Sequence, residues 1–84
     1  MPLVTEQARR IVASLPTRPS HCTQWAAPGR GNTLMLSYRR RQGYSYYPGG
    51  RPGGGGRKRT PVSPARAAEL VQQQINDGAY EIET

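Results

Sequence analysis

The chain has 84 residues and a net charge of +7, from 12 Lys and Arg against 5 Asp and Glu. Its 10 glycines and 8 prolines make up about a fifth of the residues. A chain this short buries a small fraction of its surface, which excludes a two-domain enzyme with a deep cleft, and no apolar run approaches the roughly 18 residues of a membrane span. Cys22 is the single cysteine, which excludes an internal disulfide framework. Because the first residues also show no secretory signal, a cytoplasmic location is expected.

The first segment is predicted to form an amphipathic helix. Apolar residues recur along one face with the helical period: Val4, Ala8, Ile11, Val12 and Leu15. Thr5 can cap the start of this helix, and Glu6 lies in the first turn, where the helix dipole favours a negative charge. Pro16 is expected to end the helix after Leu15.

Residues 16–32 contain three prolines and two glycines and are predicted to form a loop. Trp25 is the one large apolar side chain in this stretch. We expect it to fill the core, and the alternative is that its ring provides a stacking platform for a nucleic-acid base.

Thr33 to Arg39 is predicted to be a strand, because Leu34, Leu36 and Tyr38 alternate with more polar residues. Tyr44 to Tyr47 is predicted to be a second strand, and Gly43 supplies the positive φ that the turn of this hairpin needs. Pairing of Tyr38 with Tyr44 and of Leu36 with Tyr46 would place a ladder of apolar and aromatic side chains on one face. Tyr47 would then point to the other face, and the arginines would lie at the tip.

Residues 48–60 are predicted to be a flexible basic loop within a single domain of residues 1–84. Pro48 to Gly56 has six glycines and two prolines in nine residues and no apolar side chain to bury. The phosphate-loop register also fails in this loop, since Gly56 is followed by Arg57 instead of the required lysine.

A second helix is predicted after this loop, with Ser63 as its cap, Pro64 at its first position and Gly78 just beyond its end. Its apolar stripe consists of Ala67, Leu70, Val71 and Ile75. Tyr80 and Ile82 alternate with acidic residues, which predicts a short terminal strand beside the hairpin.

The predicted fold class is therefore α+β: an N-terminal helix, a β-hairpin, a Gly-rich loop and a C-terminal helix, with both helices packed on the hairpin. The predicted core has about ten large side chains: Val4, Ile11, Val12, Leu15, Trp25, Leu34, Leu36, Leu70, Val71 and Ile75. We expect marginal stability from so small a core, raised by formation of a homodimer or by a bound partner.

Catalysis is not expected. His21 and Cys22 are adjacent, and no acid stands near to orient the histidine as a base. One Cys and one His cannot supply the four ligands of a structural zinc site, and the carboxylates cluster near the C-terminus. We therefore predict a non-enzymatic protein without a metal or cofactor.

The charge is concentrated in the middle of the chain, where residues 30–60 hold seven arginines, one lysine and no acid, whereas residues 61–84 hold one arginine and four acids. Such a block repels itself unless anions such as phosphates neutralise it. Arginine forks bind phosphate and tyrosine rings stack on bases, which indicates an accessory protein that binds DNA or RNA, of phage or bacterial type. The candidate contact residues are Arg39, Arg40, Arg41, Tyr44, Tyr47, Arg51, Arg57, Lys58 and Arg59. Two alternatives remain: a solvated loop, or a block paired with the acidic C-terminus of the same chain.

The second functional hypothesis is a small protein-binding inhibitor or assembly factor. Its basic block would dock on an acidic protein surface, and the last helix would insert its apolar stripe into a groove. The stretch from Val71 to Tyr80, in which Ile75, Gly78 and Tyr80 close the helix, resembles the helix ends of flagellar anti-sigma factors over about a tenth of the chain. The further helices with which those factors hold sigma are absent from these 84 residues, so the resemblance implies protein binding in general.

Overall fold

Two helices lie on one face of a five-stranded antiparallel sheet in the computed structural model, which describes residues 3–17, 22–26, 33–50 and 59–82. The helices are α1 (Glu6–Ser14), followed by a 3₁₀ turn (Leu15–Thr17), and α2 (Pro64–Asn76). The strands are β1 (Cys22–Ala26), β2 (Thr33–Arg39), β3 (Gly43–Gly50), β4 (Thr60–Val62) and β5 (Tyr80–Ile82). They pair in the order β4-β3-β2-β1-β5, and the predicted α+β class is confirmed.

Helix α1 begins where the sequence predicts. The Thr5 hydroxyl accepts a hydrogen bond from the Ala8 N–H at 3.4 Å and donates one to Gln72 Oε1 of α2 at 2.7 Å, so the cap also ties the two helices together. The α-helical segment ends at Ser14, one residue earlier than predicted. Pro16 lies within the 3₁₀ turn, because it has no N–H to donate to a continuing α-helix.

Helix α2 has the predicted punctuation at both ends. The Ser63 hydroxyl accepts from the Arg66 N–H at 3.1 Å, and Pro64 is the first helical residue. Gly78 adopts a φ of +78°, and the Ala79 N–H donates to the Gln74 carbonyl at 2.8 Å, which closes the last turn.

The hairpin of β2 and β3 has the predicted register, with Tyr38 opposite Tyr44 and Leu36 opposite Tyr46. The rings of Tyr38 and Tyr44 lie 5.0 Å apart at an interplanar angle of 58°. Gly43 has a φ of +77°, as the turn requires. Tyr47 pairs with Met35 and belongs to the opposite face, again as predicted.

The structure has two strands that the sequence did not predict: β1 lies within the predicted loop 16–32, and β4 begins at Thr60, the last residue of the predicted loop 48–60. The prediction of a loop over residues 16–32 is wrong for β1, which lies between β2 and β5, with Trp25 opposite Leu34. Strand β4 pairs with β3, with Val62 opposite Tyr44. Both strands are short and lie close to prolines, so local sequence favours turns, whereas cross-strand pairing supplies their stability.

The boundaries of the predicted flexible loop, residues 48–60, are also wrong. Strand β3 continues to Gly50, which pairs with Thr33 after a bulge, and Thr60 already belongs to β4. Main-chain pairing needs no side chain, so glycines can continue a strand, and Pro48 is tolerated because β4 pairs with β3 only at residues 44–46. Residues 51–58 lie outside the described residues.

The terminal strand β5 exists, but it does not lie beside the hairpin. It pairs with β1, with Tyr80 opposite Ala26. The hairpin offers no vacant edge, because β1 occupies one side of it and β4 the other.

The core lies between the helices and the inner face of the sheet, as predicted. Seven predicted core residues are at most 7% exposed: Val12, Leu15, Trp25, Leu34, Leu36, Leu70 and Val71. Val4, Ile11 and Ile75 are partly buried against this cluster. Trp25 is 3% exposed, so its ring fills the core and offers no stacking platform.

Candidate nucleic-acid interface

The tip of the hairpin carries three consecutive arginines. Arg39 and Gly43 form the last pair of the hairpin, and the Gln42 N–H donates to the Arg39 carbonyl at 3.0 Å to close the turn. Arg39, Arg40 and Arg41 are all exposed. These side chains lie at the tip of the hairpin, as the sequence predicts.

A fourth arginine joins this turn from a distant part of the sequence. Strand β4 starts with Thr60 opposite Tyr46, which brings Arg59 alongside the hairpin. The Arg59 guanidinium Nη1 donates a hydrogen bond to the Gln42 side-chain carbonyl in the turn. We call the surface formed by Arg39, Arg40, Arg41 and Arg59 the arginine tip. Arg51, Arg57 and Lys58 lie outside the described residues.

Within the described part of the chain, no carboxylate forms an ion pair with the arginine tip. Glu6 pairs with Arg10 at 3.7 Å, and Glu69 pairs with Arg66 at 2.9 Å. Glu81 belongs to β5 and lies opposite Trp25, which is opposite Leu34. Five residues along β2 and two strand spacings separate Glu81 from Arg39, about 20 Å in all, which exceeds the screening length of roughly 8 Å at physiological salt.

Arg41 has a strained backbone, with a φ of +73°. This left-handed conformation costs an L-residue with a side chain about 1 to 2 kcal/mol, and turns usually place Gly or Asn there. Backbone strain of this kind clusters at functional sites, because selection for stability alone removes it. An arginine in this strained position therefore favours a role for its charge.

We expect Arg41→Gly to raise the free energy of unfolding by about 1 kcal/mol, because glycine adopts a positive φ without strain. Urea denaturation measures this change. Arg40→Gly is the matched control: it removes the same charge one residue earlier, where φ is not positive, and should not stabilise the protein. Equal effects of the two substitutions on stability would contradict the assignment of strain to Arg41.

The two candidate tyrosines lie on opposite faces of the sheet. Tyr44 is partly buried beneath α1, where its hydroxyl donates to the Val12 carbonyl at 3.2 Å. It therefore serves the core ladder, and we leave it out of the proposed interface. Tyr47 faces away from the helices and is partly exposed. Of the two rings, only that of Tyr47 lies on the side of the sheet that neither described helix covers.

Burial, and to a smaller degree the neighbouring Tyr38, raise the pKa of Tyr44 above its usual value of 10.0. The unfolded chain ionises this phenol near pH 10, whereas the folded protein resists ionisation. The resulting contribution to stability is present below pH 10 and is lost as the pH rises from 10 through the higher folded pKa. Tyr44→Phe should flatten this alkaline decline, and denaturation of both proteins between pH 8 and 11 measures it. An unchanged decline in the variant would contradict the assignment.

The structure adds two features that sequence reasoning missed. Pro16 of the 3₁₀ turn lies beside Tyr38, Arg39 and Arg40, and these four residues line a cleft at the base of the arginine tip. The Gln42 side chain orients Arg59, whereas the sequence indicated for Gln42 only a position in the turn. Neither role has a local signal, because each depends on packing between segments distant in sequence.

A groove of about 370 Å³ lies between the two helices on the side away from the sheet edge β5. Apolar groups form most of its lining, and Arg9 and Glu69 are its charged members. The described residues lining it are Val4, Arg9, Val12, Ala13, Tyr44, Pro64, Ala65, Ala68 and Glu69.

Among the described residues, no three His, Cys, Asp or Glu side chains come together in an arrangement that could hold a metal ion. No helix in the same residues has the length and apolar character needed to cross a membrane. Comparisons with protein-family models, with curated proteins and with solved structures found no match.

Proposed function

We propose that this protein is a non-catalytic nucleic-acid-binding accessory protein that contacts phosphates through the arginine tip. The supporting observation is the convergence of Arg59 on the three arginines of the hairpin turn, with no ion pair to a carboxylate in the described residues. Guanidinium groups are weakly hydrated, rigid forks that bind phosphate oxygens in pairs. A cluster of them that forms no ion pair among the described residues is a surface on which a polyanion releases condensed cations as it binds.

The orientation of α2 adds to the positive potential at this end of the sheet. Val62 pairs with Tyr44, the residue after Gly43 of the turn, and α2 begins directly after the Ser63 cap. The N-terminal end of a helix carries a partial positive charge. Asp77 lies just past the opposite end of α2. The helix dipole and the position of Asp77 therefore both favour an anion at the N-terminal end of α2, which is the end near the arginine tip.

The test is binding of the nuclease-treated full chain to labelled random-sequence oligonucleotides, measured by fluorescence anisotropy from about 50 to 300 mM salt. With four phosphate contacts, we expect log K to fall linearly with log salt with a slope of roughly −3, since each contact contributes about −0.7 on single strands and −0.9 on duplex DNA. Absence of binding to both DNA and RNA at 50 mM salt would refute the proposal.

The groove between the helices favours a second candidate function, a protein-binding inhibitor or assembly factor. The groove, and not the apolar stripe of α2, would receive a partner side chain, since Ala67, Leu70 and Val71 are already buried in this chain. A pull-down after nuclease treatment separates the two functions. Recovery of one acidic protein, together with absence of oligonucleotide binding, would favour this second candidate.

A further inference from the structure

The sheet has a face that neither described helix covers. Leu34 and Leu36 of β2 point into the core, so Met35 between them points the other way, together with its partner Tyr47 on β3. Gln24 of β1 lies opposite Met35 and is therefore on this side as well. Ala26, two residues further along β1, shares the side of Gln24, and so does its partner Tyr80 of β5. We call this side, defined by Gln24, Ala26, Met35, Tyr47 and Tyr80, the open face.

The charge around the open face is unequal. Arg39 lies on the same side of β2 as Met35. Arg59 directly precedes Thr60, whose partner is Tyr46, so Arg59 lies close to Tyr47 at the start of β4. At the other edge, Asp77 precedes β5, and Glu81 lies opposite the core residue Trp25, which places it on the helix side of the sheet. A polyanion is therefore attracted to the part of the open face next to Arg39 and Arg59.

We propose that the bound nucleic acid is single-stranded and runs from the arginine tip onto the open face, with a base stacked on Tyr47. This inference rests on the proposed function. Tyr47 is four residues from Gly43 of the turn, about 13 Å along the strand, so one bound strand can reach both. The bases of a duplex already stack on one another, so they present no free face to a tyrosine ring on a sheet surface. A single strand has unstacked bases, and aromatic rings on sheets bind these with little regard to sequence.

Tyr80 provides an internal comparison. It is 60% exposed, whereas Tyr47 is only partly exposed, and both rings belong to the open face. Three strand spacings and two residues separate them, about 16 Å. If exposure alone decided which ring stacks on a base, Tyr80 would do so. Because Arg39 and Arg59 lie on the Tyr47 side of the open face and not beside Tyr80, charge instead selects Tyr47.

The experiment measures the affinity of wild-type protein, Tyr47→Leu, Tyr47→Phe and Tyr80→Leu for random 12-nucleotide single-stranded DNA and RNA and for a 12-base-pair DNA duplex. We expect tighter binding of the single strands by wild type. Tyr47→Leu should weaken single-strand binding about 5- to 150-fold, the range that stacking of one base supplies, with an unchanged salt slope. Tyr47→Phe keeps the ring and should bind within about twofold of wild type, as should Tyr80→Leu.

Tighter binding of the duplex, or single-strand affinity that is unchanged in Tyr47→Leu, would overturn the inference while leaving phosphate binding by the arginine tip in place. Loss of affinity in Tyr80→Leu instead of Tyr47→Leu would also overturn it. Absence of binding to every oligonucleotide would refute the proposed function itself. Circular dichroism verifies that Tyr47→Leu is folded. If it is not, the comparison of single-strand and duplex binding by the wild-type protein still tests the inference.

Discussion

Replacement of Arg39, Arg40 and Arg41 together by alanine is expected to weaken binding to random-sequence nucleic acid at least tenfold. The variant removes three of the four charges of the arginine tip and leaves Arg59. The magnitude of the salt slope should fall by roughly one for each phosphate that is no longer bound. The fold should tolerate the change, because all three side chains are exposed and alanine at position 41 has the same left-handed strain as arginine.

The matched control for this variant is replacement of Arg9, Arg10 and Arg66 by alanine. It lowers the net charge of +7 by the same three units. Arg10 and Arg66 are paired with carboxylates, and none of the three belongs to the arginine tip. We expect the affinity of this control to fall by less than about threefold, with its salt slope preserved. Equal reductions in the two triple variants would show that only net charge matters and would remove the case for the arginine tip as a site.

Leu36→Ala is expected to lower the free energy of unfolding by about 3 to 4 kcal/mol. Leu36 is 0% exposed and lies between Thr23 of β1 and Tyr46 of β3, at the centre of the sheet. Truncation there removes apolar packing and leaves a cavity that neighbouring strands cannot close. Among the described residues, ten apolar side chains are buried and three of them are alanines, so a destabilisation of this size should unfold much of the population.

Urea denaturation followed by circular dichroism measures the effect of Leu36→Ala. Met35→Ala is its control, because Met35 is the adjacent residue, points to the open face and is partly exposed. We expect the control to cost about 1 kcal/mol or less. Similar destabilisation in the two variants would contradict the assignment of the core to the helix side of the sheet. If the proposed function holds, an oligonucleotide at 100 times its Kd should restore about 2.7 kcal/mol to Leu36→Ala.

Sequence reasoning was most successful where local chemistry and tertiary structure agree. Thr5 and Ser63 cap their helices, Gly43 and Gly78 adopt positive φ, and the hairpin pairs in the predicted register. Each of these features depends on a few neighbouring residues, or on alternation along one strand. The same alternation separates Tyr47 from the core tyrosines.

Strands β1, β4 and β5 show the opposite case. Cys22–Ala26 and Thr60–Val62 are too short for their own pattern to compete with nearby prolines, and only pairing with β2 and β3 makes them strands. The partner of β5 could not be predicted either, because it depended on which edge β1 and β4 left vacant. Cross-strand pairing is non-local, and a local pattern therefore cannot predict it.

By itself, the sequence determined two capped amphipathic helices, one hairpin with arginines at its tip, and a cationic middle separated along the chain from the acidic end. Only the tertiary structure decided that Arg59 joins Arg39, Arg40 and Arg41, and that the acidic strand lies at the far edge of the sheet. The physical reason is that capping, periodicity and turn geometry act over a few residues, whereas strand order depends on the whole set of backbone hydrogen bonds that must be satisfied together.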